Sequence, residues 1–150
     1  MMKKDYEKYM DLALEEAKKA FNNNDVPVGC VILDENNNII SRGYNQKEKE
    51  QDVTLHAEII AIKEASKLRK NRRLDKCTMV VTLSPCLMCL GAIISSRINK
   101  LVIGTYDDDS DFDFRMFKDL LFENKIELID GVKEKECSNI LKEFFKTKRF

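Results

Sequence analysis

Three potential metal ligands, divided between two distant motifs, constrain the fold of this chain more than any other feature. The only histidine, His56, stands two residues before Glu58, and Pro85 precedes the pair Cys86 and Cys89 about thirty residues later. Imidazole nitrogen and thiolate sulfur are ligands that Zn²⁺ binds readily. A fold that uses this pattern must bring the imidazole and both sulfur atoms to one point, so the sequence predicts a Zn²⁺ site.

Both motifs are predicted to lie where helices begin. Cys86 and Cys89 are three residues apart, so on a helix their side chains share one face. Pro85 suits a helix start, because its fixed φ and missing N–H cost nothing there. The beginning of a helix also lowers the pKa of a cysteine and favours the thiolate that binds metal. A second helix is predicted from His56 to about residue 68.

Three protein ligands leave a fourth position for water, which is typical of catalytic zinc. Zinc lowers the pKa of such a water to roughly 7, and Glu58 would accept its proton and pass protons to a substrate. Two alternatives are a redox cysteine pair and a structural site completed by Cys30, Cys77 or Cys137. A redox pair or a non-catalytic zinc module would leave Glu58 without a role, so the pattern favours catalysis.

Alternating helices and strands predict an α/β fold, and 150 residues predict one domain over residues 1–150. Helices are predicted at 1–21, 56–68, 86–97, 114–122 and 134–148, and strands at 26–34, 39–44, 78–83, 100–106 and 125–130. This order indicates three layers, α/β/α, around a central mixed five-stranded sheet. Ligands of such folds bind at strand ends, where both motif helices are predicted to begin.

Composition indicates a cytoplasmic protein without a membrane partner. No apolar run reaches the length of a membrane span, and the N-terminus lacks the pattern of a signal peptide. Cys30, Cys77 and Cys137 are predicted to be buried thiols in a reducing compartment. The formal net charge of zero provides no overall attraction for nucleic acid.

The combined pattern resembles that of the cytidine-deaminase-like superfamily, and within it the bacterial tRNA-specific adenosine deaminases. The similarity runs over residues 5–148. It implies the cytidine-deaminase-like fold, a Zn²⁺ cofactor, a homodimer and hydrolytic deamination of a nucleobase. The substrate it implies is a tRNA anticodon loop, in which the wobble adenosine becomes inosine.

The same resemblance implies the residues that contact the substrate. Asn45 follows the second predicted strand, where an asparagine of the family hydrogen-bonds the base, and an amide can both donate and accept. Val28 in the first strand, Ala57 beside the histidine and Asp107 after the fourth strand complete the set. A turn residue that closes the hairpin is the alternative for Asn45.

Several positions depart from the family pattern and bear on the substrate. Ser84 stands where the tRNA enzymes usually have Glu, and Leu55 where they have a small residue; both resemble fungal cytosine deaminase, which acts on a free base. Five aspartates occupy the seven positions from Asp107 to Asp113. They would repel phosphates, although some could cap the helix predicted near Phe114. Deamination of a free base or nucleoside, namely cytosine, guanine or adenosine, is therefore the alternative.

Basic and aromatic residues near the C-terminus are the candidates for contact with RNA. Lysines and arginines occur at positions 67–73 and again at Lys142, Lys146, Lys148 and Arg149. Each group could equally form a solvated helix face. Phe144 and Phe145 could face RNA, as in the family, or pack in the core.

Overall fold

Apart from one short additional helix, the helices and strands follow one another along the chain in the predicted order. A computed structural model describes residues 1–148, so Arg149 lies outside the described residues. The helices are α1 (Glu7–Asn22), α2 (Lys47–Glu50), α3 (Ala57–Arg69), α4 (Leu87–Ser95), α5 (Lys118–Glu123) and α6 (Glu134–Thr147). The strands are β1 (Gly29–Leu33), β2 (Ile39–Tyr44), β3 (Thr78–Leu83), β4 (Lys100–Thr105) and β5 (Glu127–Ile129). Two 3₁₀ helices, Lys3–Tyr6 and Phe114–Phe117, precede α1 and α5.

The five strands form one mixed sheet in the order β2-β1-β3-β4-β5. Strand β1 is antiparallel to β2 and to β3, whereas β3, β4 and β5 are parallel to one another. The prediction of a central mixed five-stranded sheet is confirmed. Because β3 and β4 run side by side in the same direction, the segments that follow them leave the sheet at one edge.

Helices cover both faces of the sheet, so the three-layer prediction is also confirmed. On one face Val31, Val80 and Val102 lie in a buried cluster with Met10 and Ala13 of α1. On the other face, alternate strand residues, such as Ile32, Val81 and Ile103, are buried with Ala57, Ala61 and Ala65 of α3. Fully burying a side chain of this size contributes about 1.5–3 kcal/mol. Cys30, Cys77 and Cys137 are buried, as predicted.

The first strand is shorter than predicted, because the chain before Gly29 is held by other hydrogen bonds. Pro27 has no N–H to give to a ladder. The Asp25 carboxylate accepts hydrogen bonds from the backbone N–H groups of Val26 and Glu48, at 3.0 and 2.9 Å. The second of these bonds ties the chain before β1 to α2, a helix that the sequence did not predict.

A glycine in β2 lets α3 approach the sheet closely. A Cβ at position 43 would overlap the carbonyl oxygen of Ala57, so only glycine fits between strand and helix. This contact sets the position of the first turn of α3, beside His56. Within residues 1–148, no helix combines the length and the apolar character that a bilayer crossing requires.

Candidate active site

The structure brings His56, Cys86 and Cys89 together. His56 and Cys86 are the residues immediately before α3 and α4, and Cys89 lies in the first turn of α4. The Nδ1 atom of His56 is 3.5 Å from each of the two Sγ atoms. A tetrahedral zinc with ordinary bond lengths holds nitrogen and sulfur ligands about 3.5 Å apart. The three donors are therefore spaced as one zinc ion requires, and all lie within 4.8 Å of one another.

The electrostatics of the cluster favour a thiolate. A hydrogen bond from Cys89, together with one from His56, lowers the pKa of Cys86 to about 4. The hydrogen bond that Cys89 makes with Cys86, together with burial, raises the pKa of Cys89. The hydrogen bond with Cys86 raises the pKa of His56. Thiolate is the form of cysteine that binds metal, so Cys86 is prepared for a cation.

Glu58 lies beside the cluster, in the first turn of α3, and its side chain is buried. Burial is the main cause that raises its pKa from the ordinary value to about 7. A carboxyl group that titrates near neutral pH can both accept and release a proton. Glu58 also lines the main cleft, so this group faces the space in which a substrate would lie.

A cleft of about 1020 Å³ opens above His56, Glu58 and Cys86. Its lining includes residues that follow β3 and β4 and residues of α6. An acidic group, Asp107, Asp108 and Asp109, and a lysine group, Lys47, Lys142, Lys146 and Lys148, line the same cleft. The cleft therefore combines a buried carboxyl group, a candidate metal site and charges of both signs.

Asn45 joins the end of β2 to the start of α3. Its Oδ1 accepts a hydrogen bond from the backbone N–H of Ala57 at 2.9 Å, and its Nδ2 donates to the carbonyl oxygen of Val26 at 3.0 Å. The residue is buried, yet it lines the cleft. An amide has two N–H donors and two lone pairs on oxygen, so one of each is left for a substrate.

The other predicted substrate residues differ in their access to the cleft. Val28 and Asp107 line it. Ala57 is buried, its N–H is bonded to Asn45, and it is not among the residues that line the cleft in the described part of the chain. A substrate role stays a prediction for all of them.

Arg115 was not predicted to have a role, and it organises the acidic segment. Its guanidinium group forms ion pairs with Asp108 at 3.1 Å and with Asp113 at 3.4 Å. It also lies over the ring of Tyr106, 4.1 Å from the centroid, and the Tyr106 hydroxyl donates to Asp130 at 2.7 Å. Such pairing depends on loop geometry, and no signal in the sequence could have revealed it.

The positions of residues in the fold bear on three of the remaining predictions. Asp113 accepts the backbone N–H of Arg115 at 3.1 Å and caps the 3₁₀ helix, as the capping interpretation predicted. Phe144 is buried against Phe21, whereas Phe145 is 41% exposed and lines the cleft. The predicted basic residues of α6 line the cleft, while within the described chain none of those at 67–73 does.

Comparison with known proteins agrees with this site. Residues 3–105 match the model of the cytidine and deoxycytidylate deaminase zinc-binding region. A tRNA-specific adenosine deaminase of Haemophilus influenzae is 42% identical over 146 residues, which cover 95% of this chain and 84% of the relative. The enzyme of the same name from Bacillus subtilis is 39% identical over 146 residues, covering 95% of this chain and 90% of that one.

A solved structure from a study of A-to-I editing by tRNA:A34 deaminases at the wobble position of transfer RNA has a similar fold. It superimposes with a TM-score of 0.80 and is 34% identical in sequence. The match covers 88% of this chain and 97% of the solved one. Fold and sequence therefore resemble the same group of proteins.

Proposed function

Because the chain belongs to the cytidine and deoxycytidylate deaminase zinc-binding family, we propose that it is a zinc-dependent hydrolytic deaminase of tRNA. Its substrate would be the wobble adenosine of an anticodon loop, and its products inosine and ammonia. The observation that carries the proposal is the convergence of His56, Cys86 and Cys89 beside Glu58, next to a cleft that His56, Glu58 and Cys86 line. Relatives named tRNA-specific adenosine deaminase, similar over 95% of this chain, support the choice of substrate.

The donor set fits zinc. His56, Cys86 and Cys89 would hold the ion, since one imidazole and two sulfurs are ligands that zinc binds readily and their spacing suits a tetrahedral site. When bound, zinc would lower the pKa of water and so provide a nucleophile near neutral pH. With three protein ligands, one position is left for chemistry, as in catalytic zinc sites.

Glu58 would move the protons. Its pKa of about 7 lets the carboxylate accept a proton from the attacking water. The same carboxyl group would then donate protons to the purine ring and to the departing amine. The overall change is balanced, because water adds its oxygen to the ring carbon and ammonia carries away the amine nitrogen.

The lysine group and Phe145 suit a flexible RNA loop. Lys142 and Lys146 on α6 line the cleft and could neutralise phosphates next to the target nucleotide. The half-exposed ring of Phe145 offers a surface on which an unpaired base can stack. A nucleotide turned out of the loop could then reach Asn45 and Glu58, which line the same cleft.

Formation of inosine in tRNA with adenosine at the wobble position tests this proposal. Glu58→Gln keeps the size of the side chain but cannot shuttle protons, so turnover should fall at least about 100-fold while zinc content stays at the wild-type level. Glu64→Gln is the matched control, because Glu64 lies on the same helix, is exposed and pairs with Lys67 at 3.6 Å. Near-normal turnover of Glu58→Gln would contradict the proton-transfer role.

Deamination of a free base is the second candidate, and the acidic group of the cleft favours it. Asp107, Asp108 and Asp109 would repel the phosphates of RNA but not an uncharged base. A panel of tRNA, cytosine, guanine and adenosine separates the two candidates by ammonia release. Activity on small molecules alone would overturn the tRNA proposal.

We further propose a single domain over residues 1–150 and assembly as a homodimer. Leu87 and Met88, on the first turn of α4, are 59% and 39% exposed and would suit a protein contact. Sedimentation of the purified chain tests the dimer, and a monomer at micromolar concentration would contradict it. The cytoplasmic location stays a prediction.

A further inference from the structure

Ser84 connects the segment that carries Cys86 to the segment that carries Asp107. Strands β3 and β4 are parallel neighbours, and their last paired residues are Leu83 and Thr105. The backbone N–H of Ser84 donates to the carbonyl oxygen of Thr105 at 2.9 Å. The ladder ends there on β3, because Pro85 has no N–H and the chain turns into α4.

The Ser84 hydroxyl extends this connection by one step. Its Oγ accepts a hydrogen bond from the backbone N–H of Asp107 at 2.9 Å. Ser84 is only 7% exposed, although it lines the cleft. A side chain thus takes the place of the next backbone acceptor and holds Asp107 at the edge of the cleft.

The acidic segment is fixed at a second point as well. The Asp107 carboxylate accepts the backbone N–H of Asp109 at 3.1 Å, and Arg115 pairs with Asp108 at 3.1 Å. Both bonds lie in exposed positions, where competition from water makes each of them weaker than a protected bond. The Ser84 bond is the more protected one, so it should decide where the segment begins.

We propose that Ser84 is a positioning residue for substrate binding, which acts by holding Asp107 in place. The inference rests on the proposed function and on the prediction that Asp107, which lines the cleft, contacts the base of the substrate. Loss of the Ser84 hydroxyl would leave the Asp107 N–H without its acceptor. The acidic segment would then move so that this N–H could donate to water instead. Binding should then weaken, whereas zinc and Glu58, which the bond does not touch, should continue to work.

The test compares Ser84→Ala, Ser84→Thr, Asp107→Asn and the double variant in steady-state deamination of tRNA. We expect Ser84→Ala to raise KM about three- to tenfold, which corresponds to the loss of one hydrogen bond. Its kcat should stay within about twofold of the wild-type value, and its zinc content should not change. Ser84→Thr keeps the hydroxyl and should restore KM. In the Asp107→Asn background, Ser84→Ala should add less than its separate effect, because both changes act on one contact.

Three results would overturn the inference. The first is equal KM values for Ser84→Ala and Ser84→Thr. The second is a fall in kcat of Ser84→Ala together with a fall in its zinc content. The third is a KM change in the double variant that equals the product of the KM changes in Ser84→Ala and Asp107→Asn. If Ser84→Ala does not fold, the nearly isosteric pair Ser84→Val and Ser84→Thr provides the same comparison of methyl with hydroxyl. If the wild type deaminates a free base but not tRNA, the proposed function fails, and the same variants measured on that base still decide the role of Ser84.

Discussion

Replacing Asn45 by alanine should lower the stability of the protein as well as its activity. The change removes two hydrogen bonds, one from the Ala57 N–H and one to the Val26 carbonyl, at 2.9 and 3.0 Å. Ala57 is fully buried, so its N–H cannot turn to water, and leaving it unpaired costs about 1–3 kcal/mol. Val26 is half-buried, and the loss of its bond should cost about 0.5–1 kcal/mol. The free energy of unfolding should therefore fall by about 1.5–4 kcal/mol.

Urea unfolding at saturating zinc measures this loss. Asn124→Ala is the control, since Asn124 is exposed and its amide donates to the Leu120 carbonyl at 2.8 Å, so the free energy of unfolding should change by less than about 0.5 kcal/mol. Zinc affinity should also fall in Asn45→Ala, because the Ala57 N–H lies next to His56. If Asn45→Ala is as stable as Asn124→Ala and only KM rises, Asn45 serves the substrate alone and the reasoning is refuted.

Three further changes have outcomes that follow from the site. Cys86→Ala should lose zinc and unfold at lower temperature, as bound metal contributes to folding, and retention of one zinc per chain by elemental analysis would remove Cys86 from the ligands. Replacing Lys142 and Lys146 together by glutamine should raise the KM for tRNA and make it depend less on salt concentration. Lys67→Gln on α3 is the control, because Lys67 does not line the cleft. An equal salt dependence of KM in the double variant and the wild type would exclude phosphate contacts by these lysines. Gly43→Ala should lower stability in thermal unfolding because its Cβ would overlap the Ala57 carbonyl oxygen, and an unchanged Tm would show that α3 can move away.

Local patterns in the sequence were sufficient for most elements. Strands β2 and β3 have the predicted bounds, since a turn or a helix start limits each of them on both sides. The predicted helix over 114–122 is divided into a 3₁₀ turn and α5, and β5 has only three residues. Apolar spacing shows that such a segment is ordered, but the hydrogen bonds of short elements depend on what they pack against.

In the candidate site, too, some features follow from the local sequence and others only from the tertiary structure. The grouping of His56, Cys86 and Cys89 as candidate metal ligands, with Glu58 beside them, could be predicted because side-chain chemistry and spacing along the chain restrict metal ligands strongly. Ser84 was noticed only as a departure from the family pattern. Its bond to Asp107 exists because β3 and β4 lie side by side, and twenty-three residues separate the two partners along the chain. No periodicity relates residues that meet in this way.

The sequence alone determined the chemistry, because a metal site requires particular donor atoms and a proton shuttle requires an ionisable group next to them. It also determined the alternation of helices and strands, which follows from local apolar periodicity. The tertiary structure alone decided how the cleft is lined: Phe144 turned inward and Phe145 outward, Asn45 bonded to the start of α3, and the acidic segment held by Ser84 and Arg115. The physical reason is that hydrogen bonds and ion pairs act over a few ångströms in space, whatever the distance along the chain.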